Sequence, residues 1–280
     1  MSDIISIAAG DINLPMVSVL MTAYNREKLI AMAIESVLAS TYRQFELIIV
    51  DDCSTDGTRE IIQSYSEKDG RIRPYYNENN LGDYPNRNLA ASYATGIYIK
   101  YVDSDDYIYP NGLEIMVNSM ELFPEAAFGM TSLDPDRDKP FPFMLTAKES
   151  YTYHFFKSKL FHKGPLAAII RRDAFEALHR FPPGRMISDT DMWHHMALVY
   201  PIVLLQDGIV WQRRHADQEL SSQEAFVFEG EKIKWKYLLD KKCELEPAQL
   251  LAIKKMCMRN YSRFILSGIK RLRPGQRSEE

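Results

Sequence analysis

Cysteine is scarce in this sequence, and its spacing excludes two kinds of small stabilised domain. The chain has 280 residues and three cysteines, Cys53, Cys243 and Cys257, with no C-x-x-C pair. Neither a disulfide framework nor a zinc ribbon is indicated, and the reduced cytoplasm is the compartment that fits. No secretory signal is visible at the start, and no apolar run approaches the roughly 18 residues that cross a bilayer. We therefore expect a cytoplasmic protein, with association at a membrane surface left open.

Glycine-rich nucleotide fingerprints and an excess of basic residues are also missing. There is no G-x-G-x-x-G after the first apolar run and no G-x-x-x-x-G-K-[ST] anywhere, which argues against dinucleotide oxidoreductases and P-loop NTPases. The formal net charge is −4, whereas general nucleic-acid binders are usually basic. Because 46% of the residues are hydrophobic, the chain can still bury a full core. The composition predicts a globular protein with no nucleic-acid partner.

Apolar runs and amphipathic stretches alternate along the first half of the chain. The apolar runs predict strands at 17–23, 45–50, 72–76, 98–102 and 126–130. Helical stripes lie between them, joined by short links, and this order predicts an α/β fold with a mostly parallel, doubly wound sheet. A loop is predicted at 132–148, where Pro, Asp and Lys cluster. Two further helices are predicted after about residue 223.

Two acidic turns carry the strongest functional signal. One is Asp51-Asp52-Cys53-Ser54-Thr55-Asp56 and the other is Asp103-Ser104-Asp105-Asp106, and each directly follows a predicted buried strand. Carboxylates at the carboxyl ends of strands lie where open α/β sheets bind their ligands. Crowded there, they repel unless a cation or a hydroxyl-rich ligand compensates them. The two turns therefore predict an enzyme site for a metal-bound nucleotide diphosphate.

Four motifs in order then resemble the inverting glycosyltransferases of family 2. They are Ser18 to Asn25, the turn from Asp51 to Thr58, Asn80-Leu81-Gly82 followed by Arg87-Asn88, and Asp103 to Asp106, which together span about the first 110 residues. The resemblance implies the GT-A fold, a Rossmann-like sheet flanked by helices with a C-terminal helical extension. It also implies a nucleotide-diphospho-sugar donor, by family habit a UDP-sugar, and transfer with inversion. Mn²⁺ or Mg²⁺ is the implied cofactor.

The resemblance also implies roles for individual residues. Thr22, Tyr24, Asp52 and Arg87 are expected around the nucleoside, and Asp103 and Asp105 are expected to hold the sugar diphosphate through the metal, with Asp105 the more direct ligand. The complete predicted nucleotide-binding set is Thr22, Ala23, Tyr24, Asn25, Asp51, Asp52, Arg87, Asp103 and Ser104. The alternative for Asp52 and Asp56 is that they only cap turns and a helix.

The second half of the chain contains the candidate catalytic base. Ser188-Asp189-Thr190-Asp191 is similar to the acidic segment that opens a helix and supplies the base in this family, which makes Asp189 the expected base. The usual Glu before it is Ser188 here, so Asp191 remains the alternative. A carboxylate at this place can deprotonate an acceptor hydroxyl, whereas the purely structural reading is a helix cap.

A basic segment supplies the third candidate metal ligand. Arg213, Arg214 and His215 follow a short apolar run, and related enzymes place a histidine close to the metal or the diphosphate. His215 is therefore a candidate ligand, and the two arginines can balance phosphate charge. The alternative is a surface histidine beside two solvated arginines.

These assignments divide the chain into four parts. Residues 1–15 are expected to form an irregular leader, 16–131 the nucleotide-sugar-binding half, 132–222 the acceptor-binding half with the base, and 223–280 the C-terminal helices and basic tail. The expected acceptor is a saccharide or a lipid-linked glycan of a bacterial polysaccharide or glycolipid pathway. The basic tail at 270–273 is either solvated or in contact with an anionic membrane, and the C-terminal helices are a candidate homo-oligomer surface.

Two rival functions remain open at this point. A nucleotidyltransferase also uses an acidic α/β site with a metal, but the segment after the first strand has no glycine in Asn25-Arg26-Glu27-Lys28. An inactive relative that binds sugar nucleotides as a scaffold is the other rival, and the intact acidic set argues against it.

Overall fold

A computed structural model describes residues 16–132, 136, 138–183, 186–214 and 227–272, and a twisted sheet forms its centre. The strands are β1 (Val17–Ala23), β2 (Phe45–Asp51), β3 (Ile72–Tyr76), β4 (Tyr98–Tyr101), β5 (Tyr107–Ile108), β6 (Phe128–Thr131), β7 (Phe143–Leu145), β8 (Ala168–Arg171), β9 (Ile202–Leu205) and β10 (Val210–Trp211). The helices are α1 (Ile30–Leu38), α2 (Thr58–Ser66), α3 (Asp83–Ser92), α4 (Gly112–Glu121), α5 (Ala147–Phe156), α6 (Arg172–Ala177), α7 (Ser188–Val199), α8 (Val227–Leu238) and α9 (Pro247–Leu272).

Eight of these strands form one sheet in the order β3-β2-β1-β4-β8-β6-β9-β7. The pairs β3–β2, β2–β1, β1–β4 and β6–β9 are parallel, whereas β8 runs antiparallel to both of its neighbours and β7 is antiparallel to β9. The predicted α/β fold with a mostly parallel, helix-flanked sheet and two C-terminal helices is therefore confirmed. Among the described residues, no helix is both long and apolar enough to cross a bilayer.

Helices cover both faces of the sheet, which explains why the central strands are apolar on both sides. On one face, Ile34 of α1 and Met116 of α4 pack with Leu47 and Ile49 of β2. On the other face, Ala90 of α3 and residues of α5, α7 and α8 form a second apolar cluster. Every residue of β2 is buried, so its continuous apolar run reflects double coverage rather than a one-sided strand.

Glu46 is one of two charged residues in β2, the other being Asp51 at its end, and it joins three strands at the amino end of the sheet. Its carboxylate accepts hydrogen bonds from the Ser18 hydroxyl at 2.6 Å, from the Thr95 amide at 2.8 Å and from Arg73 at 2.5 Å. Burial opposes ionisation, but these hydrogen bonds outweigh it and lower the pKa of Glu46. A buried charge is thus tolerated because each of its oxygens has donors.

The predicted loop at 132–148 was wrong in its second part. β7 lies within it and pairs with β9, and α5 begins directly after β7. The start of α5 carries a capping box in which Thr146 and Glu149 satisfy each other's backbone amides. That T-x-x-E signal was present in the sequence, but the surrounding prolines and charges outweighed it.

Gly96 is required where the chain enters β4. A Cβ on Gly96 would lie 2.6 Å from both the Met16 carbonyl oxygen and the Ser18 amide nitrogen. Both contacts are backbone atoms of the adjoining strand, so they cannot rotate away. We expect Gly96→Ala to lower the free energy of unfolding by about 1–3 kcal/mol in a urea titration.

Gly70→Ala is the matched control for this prediction. Gly70 has no atom within 4 Å of the added Cβ. The same change there should leave stability unchanged or raise it by about 0.4–1 kcal/mol, since alanine restricts the unfolded chain. Equal loss of stability in the two variants would contradict the steric explanation.

Candidate active site

Residues from three neighbouring strands meet at the carboxyl end of the sheet. β1 lies between β2 and β4 and is parallel to both, with Ala23 paired to Asp51. Beyond the strands, the Asp52 amide donates to the Ala23 carbonyl at 2.8 Å, and the Val102 amide donates to the Leu20 carbonyl at 3.0 Å. Because parallel strands have their carboxyl ends on the same side of the sheet, both acidic turns lie beside the loop after β1.

The loop after β1 is tied to the first acidic turn by hydrogen bonds. The Asn25 amide donates to the Ser54 hydroxyl at 2.9 Å, and the Thr55 amide donates to the Asn25 side-chain oxygen at 2.9 Å. Asn25 adopts a left-handed conformation with φ of 51°, which asparagine tolerates better than most residues. Tyr24, immediately before it, is 46% exposed. The loop therefore presents an aromatic ring to solvent from a well-anchored backbone.

The side chains of Asp51 and Asp52 serve different partners. Asp52 accepts hydrogen bonds from the Leu81 amide at 2.8 Å, the Gly82 amide at 2.9 Å and the Asn77 side-chain amide at 2.8 Å. Its carboxylate thus holds the loop that leads into α3. This contact is the turn-stabilising alternative considered for Asp52 from the sequence.

Asp51 instead faces α2. Its Oδ2 accepts from Arg59 Nε at 2.7 Å and from the Ser54 amide at 3.1 Å. The other oxygen, Oδ1, is buried and has no hydrogen-bond partner among the described residues. A buried acceptor without a donor is costly, so this oxygen is suited to receive a donor from a ligand or a water molecule.

Arg87 on α3 compensates the second acidic turn. Its Nη1 lies 2.5 Å from Asp103 Oδ1, and its Nε lies 2.7 Å from Asp83 Oδ1. Burial opposes the charge of Arg87, but Asp103 and Asp83 hold its pKa well above the usual value. One buried cation therefore serves two carboxylates and attaches α3 to the turn after β4.

The rest of the second turn is crowded with carboxylates. Asp105 Oδ2 lies 3.3 Å from Arg26 Nε, and Asp106 Oδ1 accepts from the Arg213 amide at 3.0 Å. Burial, together with the charges of Asp103 and Asp105, raises the pKa of Asp106 to about 8. The turn therefore gathers three carboxylates, Asp103, Asp105 and Asp106, within one short segment.

The carboxylates of the second acidic turn suit a hard divalent cation whose other ligands come from outside the protein. Among the described residues, no three His, Cys, Asp or Glu side chains converge on one metal position. Mg²⁺ and similar ions are commonly held by one or two carboxylates, with phosphate oxygens and water completing the shell. Asp103 and Asp105 can supply such carboxylates. The third predicted ligand, His215, lies outside the described residues.

Asp189 lies in the first turn of α7, where its Oδ1 accepts from the Thr190 amide at 2.6 Å. Its carboxylate is close to the Tyr84 phenol of α3 and lies within the field of Arg87. Burial raises the pKa of Asp189 to about 6. A carboxyl group that titrates near neutrality is suited to exchange a proton with a substrate.

Asp191 points away from this region. Its Oδ1 lies 3.1 Å from Lys236 Nζ and accepts a hydrogen bond from the Tyr237 hydroxyl, both on α8. Two carboxylates two residues apart on a helix project in different directions, and here only Asp189 faces α3. Asp191 therefore stabilises the packing of α8 on α7.

A short antiparallel pair brings Arg213 to the acidic turn. β10 pairs with β5, which continues directly from that turn, with Trp211 opposite Tyr107. Arg213 then donates from Nε to the Asp105 carbonyl at 3.2 Å, while Arg214 is exposed. Strands of two residues leave no periodic signal in a sequence, so this contact was not visible there.

The remaining residues predicted to bind the nucleotide sugar lie at the same carboxyl end of the sheet. Thr22 is partly exposed at the end of β1, and Ala23 and Ser104 are buried. The structure thus brings the predicted nucleotide-binding residues together, and their individual roles stay predictions.

Three site residues were missed from the sequence, and two of them had a signal. Asp83 and Arg87 form an i,i+4 pair at the start of a helix, a spacing that predicts a contact. Lys100 is a charged residue in an apolar strand, where it is fully buried and donates to the Leu166 carbonyl and, at 3.2 Å, to the Ala168 carbonyl. Burial lowers the pKa of Lys100 to about 7. Tyr84 had no signal, since its contact with Asp189 depends on the tertiary fold.

Comparison with known proteins places the chain among glycosyltransferases. The model of the family "Glycosyl transferase family 2" matches residues 18–178. TuaG of Bacillus subtilis, assigned to teichuronic acid biosynthesis, is 40% identical over 141 residues, which cover 50% of this chain and 56% of that protein. WfgD of Escherichia coli, a UDP-Glc:α-D-GlcNAc-diphosphoundecaprenol β-1,3-glucosyltransferase, is 41% identical over 105 residues, or 38% of this chain and 41% of that protein. The chain thus spans only about half the length of these relatives.

Solved structures share the fold. TarS of S. aureus in complex with UDP-GlcNAc superposes with a TM-score of 0.67 at 23% identity, covering 85% of this chain and 70% of that one. The mannosyltransferase PcManGT of Pyrobaculum calidifontis, in complex with GDP-Man and Mn²⁺, gives a TM-score of 0.58 at 19% identity, covering 74% and 59%. The predicted GT-A fold is therefore confirmed.

The raised pKa of Asp189 predicts a pH-dependent loss of stability. Because the folded state holds this proton more tightly than the unfolded state, the carboxyl stabilises the fold below about pH 4 and this contribution is lost as the pH rises through about 6. We expect Asp189→Asn to have a higher free energy of unfolding than the wild type at pH 7. This gain should be about 1–3 kcal/mol larger at pH 7 than at pH 4. Urea titrations at the two pH values measure this difference.

Asp191→Asn is the matched control on the same helix. It removes a carboxylate that pairs with Lys236, so it should not stabilise the protein at pH 7. A similar gain in both variants would mean that general charge on α7, and not the burial of Asp189, is responsible.

Proposed function

This chain belongs to glycosyl transferase family 2, and from that membership we propose that it transfers a sugar from a nucleotide-diphospho-sugar to an acceptor hydroxyl with inversion. One observation carries the proposal. α3 connects the two chemical halves of the site, because Arg87 is ion-paired to Asp103 while Tyr84 lies beside Asp189. A donor-side acidic turn and an acceptor-side carboxyl of raised pKa are thus held by one helix.

The nucleotide-sugar donor occupies the carboxyl end of the sheet, where β1, β2 and β4 end. Tyr24 and Thr22 lie against the nucleoside, the unpartnered Oδ1 of Asp51 and the Asp52 turn accept donors from its base or ribose, and Arg87 stabilises the nearby diphosphate charge. A UDP-sugar is the proposed donor. The UDP-GlcNAc complex of TarS and the UDP-Glc specificity named for WfgD support it.

Asp105 and Asp103 are the proposed holders of Mn²⁺ or Mg²⁺. Held there, the ion would supply positive charge for the leaving nucleoside diphosphate. The Mn²⁺ in the PcManGT complex supports this cofactor. Arg26, whose Nε lies 3.3 Å from Asp105 Oδ2, would pair with a phosphate oxygen of the donor, as guanidinium groups pair well with phosphate.

Asp189 is the proposed general base. With a pKa near 6, its carboxylate is mostly ionised at neutral pH yet basic enough to accept the proton of an acceptor hydroxyl. The freed oxygen attacks the anomeric carbon from the side opposite the diphosphate, so an α-linked donor gives a β-linked product. The Tyr84 phenol beside it is proposed to orient the carboxylate for this role.

The proposed acceptor is a saccharide or a lipid-linked glycan of bacterial polysaccharide or glycolipid assembly. TuaG is assigned to teichuronic acid biosynthesis, and WfgD is named for a diphosphoundecaprenol-linked acceptor. The acceptor side is built by the part of the chain after β6, including α7, and the reaction takes place in the cytoplasm.

A thermal-shift panel identifies the donor nucleotide. We expect UDP with Mn²⁺ to stabilise the protein by about 2.7 kcal/mol at a hundred times its dissociation constant, and EDTA to remove most of the shift. TDP, GDP and CDP serve as controls. Equal shifts with all four nucleotides, or a UDP shift that EDTA does not reduce, would contradict a metal-dependent uridine site.

Asp189→Asn separates chemistry from binding. It should reduce sugar transfer by at least about 100-fold, because the base is lost, while the metal-dependent UDP shift is retained. Asp191→Asn is the control and should keep most of the activity, since Asp191 contacts α8. Transfer that survives in Asp189→Asn but not in Asp191→Asn would reverse the assignment.

Product analysis of the wild-type enzyme distinguishes the two rival functions. A glycosyltransferase releases a nucleoside diphosphate from a sugar nucleotide, whereas a nucleotidyltransferase releases pyrophosphate from a nucleoside triphosphate. A scaffold would bind the donor without turnover.

A further inference from the structure

We propose that the outer face of α9 docks the protein on an anionic lipid surface. This face, called the α9 outer face below, consists of Leu251, Met258, Lys254, Lys255 and Arg259. It lies outside the proposed catalytic site and does not depend on it.

Exposed apolar and basic side chains share this face. α9 packs through Ile253 and Cys257, which are buried in the core. Leu251 and Met258, seven residues apart, are instead 53% and 60% exposed. At 3.6 residues per turn, Lys254, Lys255 and Arg259 lie beside this apolar stripe, and all three are exposed. Exposed apolar residues flanked by Lys and Arg are typical of a helix that lies in a membrane interface.

The C-terminal helices carry a net positive charge and the rest of the chain a net negative charge, as docking on an anionic surface requires. Residues 227–263 contain nine Lys and Arg and five Asp and Glu, a net charge of +4, although the whole chain has −4. The remainder therefore carries −8. An anionic bilayer attracts residues 227–263 and repels the rest of the chain. Both effects favour the orientation in which α9 faces the bilayer.

The position of α9 keeps the acceptor side of the sheet next to the bilayer. α9 is attached to α5, where Gln249 donates to Thr152 at 3.3 Å and Lys148 forms an ion pair with Glu246 at 2.6 Å. α5 in turn packs against α7, which carries Asp189. A second copy of the chain is a poorer occupant for the α9 outer face, since it would bring two basic arms together and cover only two large apolar side chains.

Vesicle flotation of the full chain tests this proposal. The wild-type protein should float with vesicles of phosphatidylglycerol and phosphatidylcholine, and binding should weaken at high salt. It should not float with phosphatidylcholine alone. Lys254→Glu/Lys255→Glu should lower the partition coefficient at least about 25-fold, since each basic residue contributes about fivefold. Leu251→Ser/Met258→Ser should lower it about tenfold and make the remaining binding more sensitive to salt.

Arg43→Glu/Lys68→Glu is the charge-matched control. Both residues are exposed and follow α1 and α2, near the β3 edge of the sheet, whereas α9 packs on α5 near the β7 edge. This variant should bind as the wild type does. Equal losses in the two charge variants, or equal binding to both kinds of vesicle, would overturn the proposal.

Sedimentation and unfolding measurements complete the test. A concentration-dependent dimer that Leu251→Ser/Met258→Ser abolishes, without vesicle binding, would assign the α9 outer face to self-association instead. Retained urea stability and UDP binding in every variant show that the changes act on docking alone.

Discussion

Negative charge gathered at the carboxyl ends of β1, β2 and β4 is the constraint on which the rest of this structure depends. Parallel strands place their ends side by side, so the two acidic turns cannot avoid each other. Carboxylates in such a place repel, and burial makes the repulsion stronger because solvent screening is lost. Burial and the charges of Asp103 and Asp105 together raise the pKa of Asp106. Arg26 and Arg87 pair with the neighbouring carboxylates.

The response is organised by α3. Arg87 is nearly buried and bonded to two carboxylates, Asp83 on its own helix and Asp103 on the turn. Its guanidinium has donors in a fixed plane, which suits it to this bridging position better than a lysine ammonium. The same helix carries Tyr84, which lies beside Asp189. α3 thereby contacts both the second acidic turn and the first turn of α7.

The part of the sheet beyond β4 is built differently. β8 enters the sheet antiparallel between β4 and β6, and Lys100 connects β4 to the segment before β8 through backbone carbonyls. α7, α8 and α9 then stack outward, with Asp191 joining α7 to α8. In this arrangement the two aspartates of the Asp189–Asp191 segment have separate tasks, one toward the site and one toward the helical packing. The α9 outer face continues the same side of the molecule toward solvent.

Local pattern determined much of this protein. The strands of the first half, the order of strands and helices, the two acidic turns and the family motifs all follow from nearest-neighbour periodicity and turn chemistry, which act within a few residues. The tertiary structure alone decided which carboxylates face the site. Asp51 and Asp52 are adjacent in sequence but turn to different partners. Asp189 lies beside Tyr84, about a hundred residues earlier in the chain, whereas Asp191 pairs with Lys236 on α8. Pairs such as β5–β10 and β7–β9 are too short or too distant in sequence to leave a local signal, because their stability comes from packing against the rest of the fold.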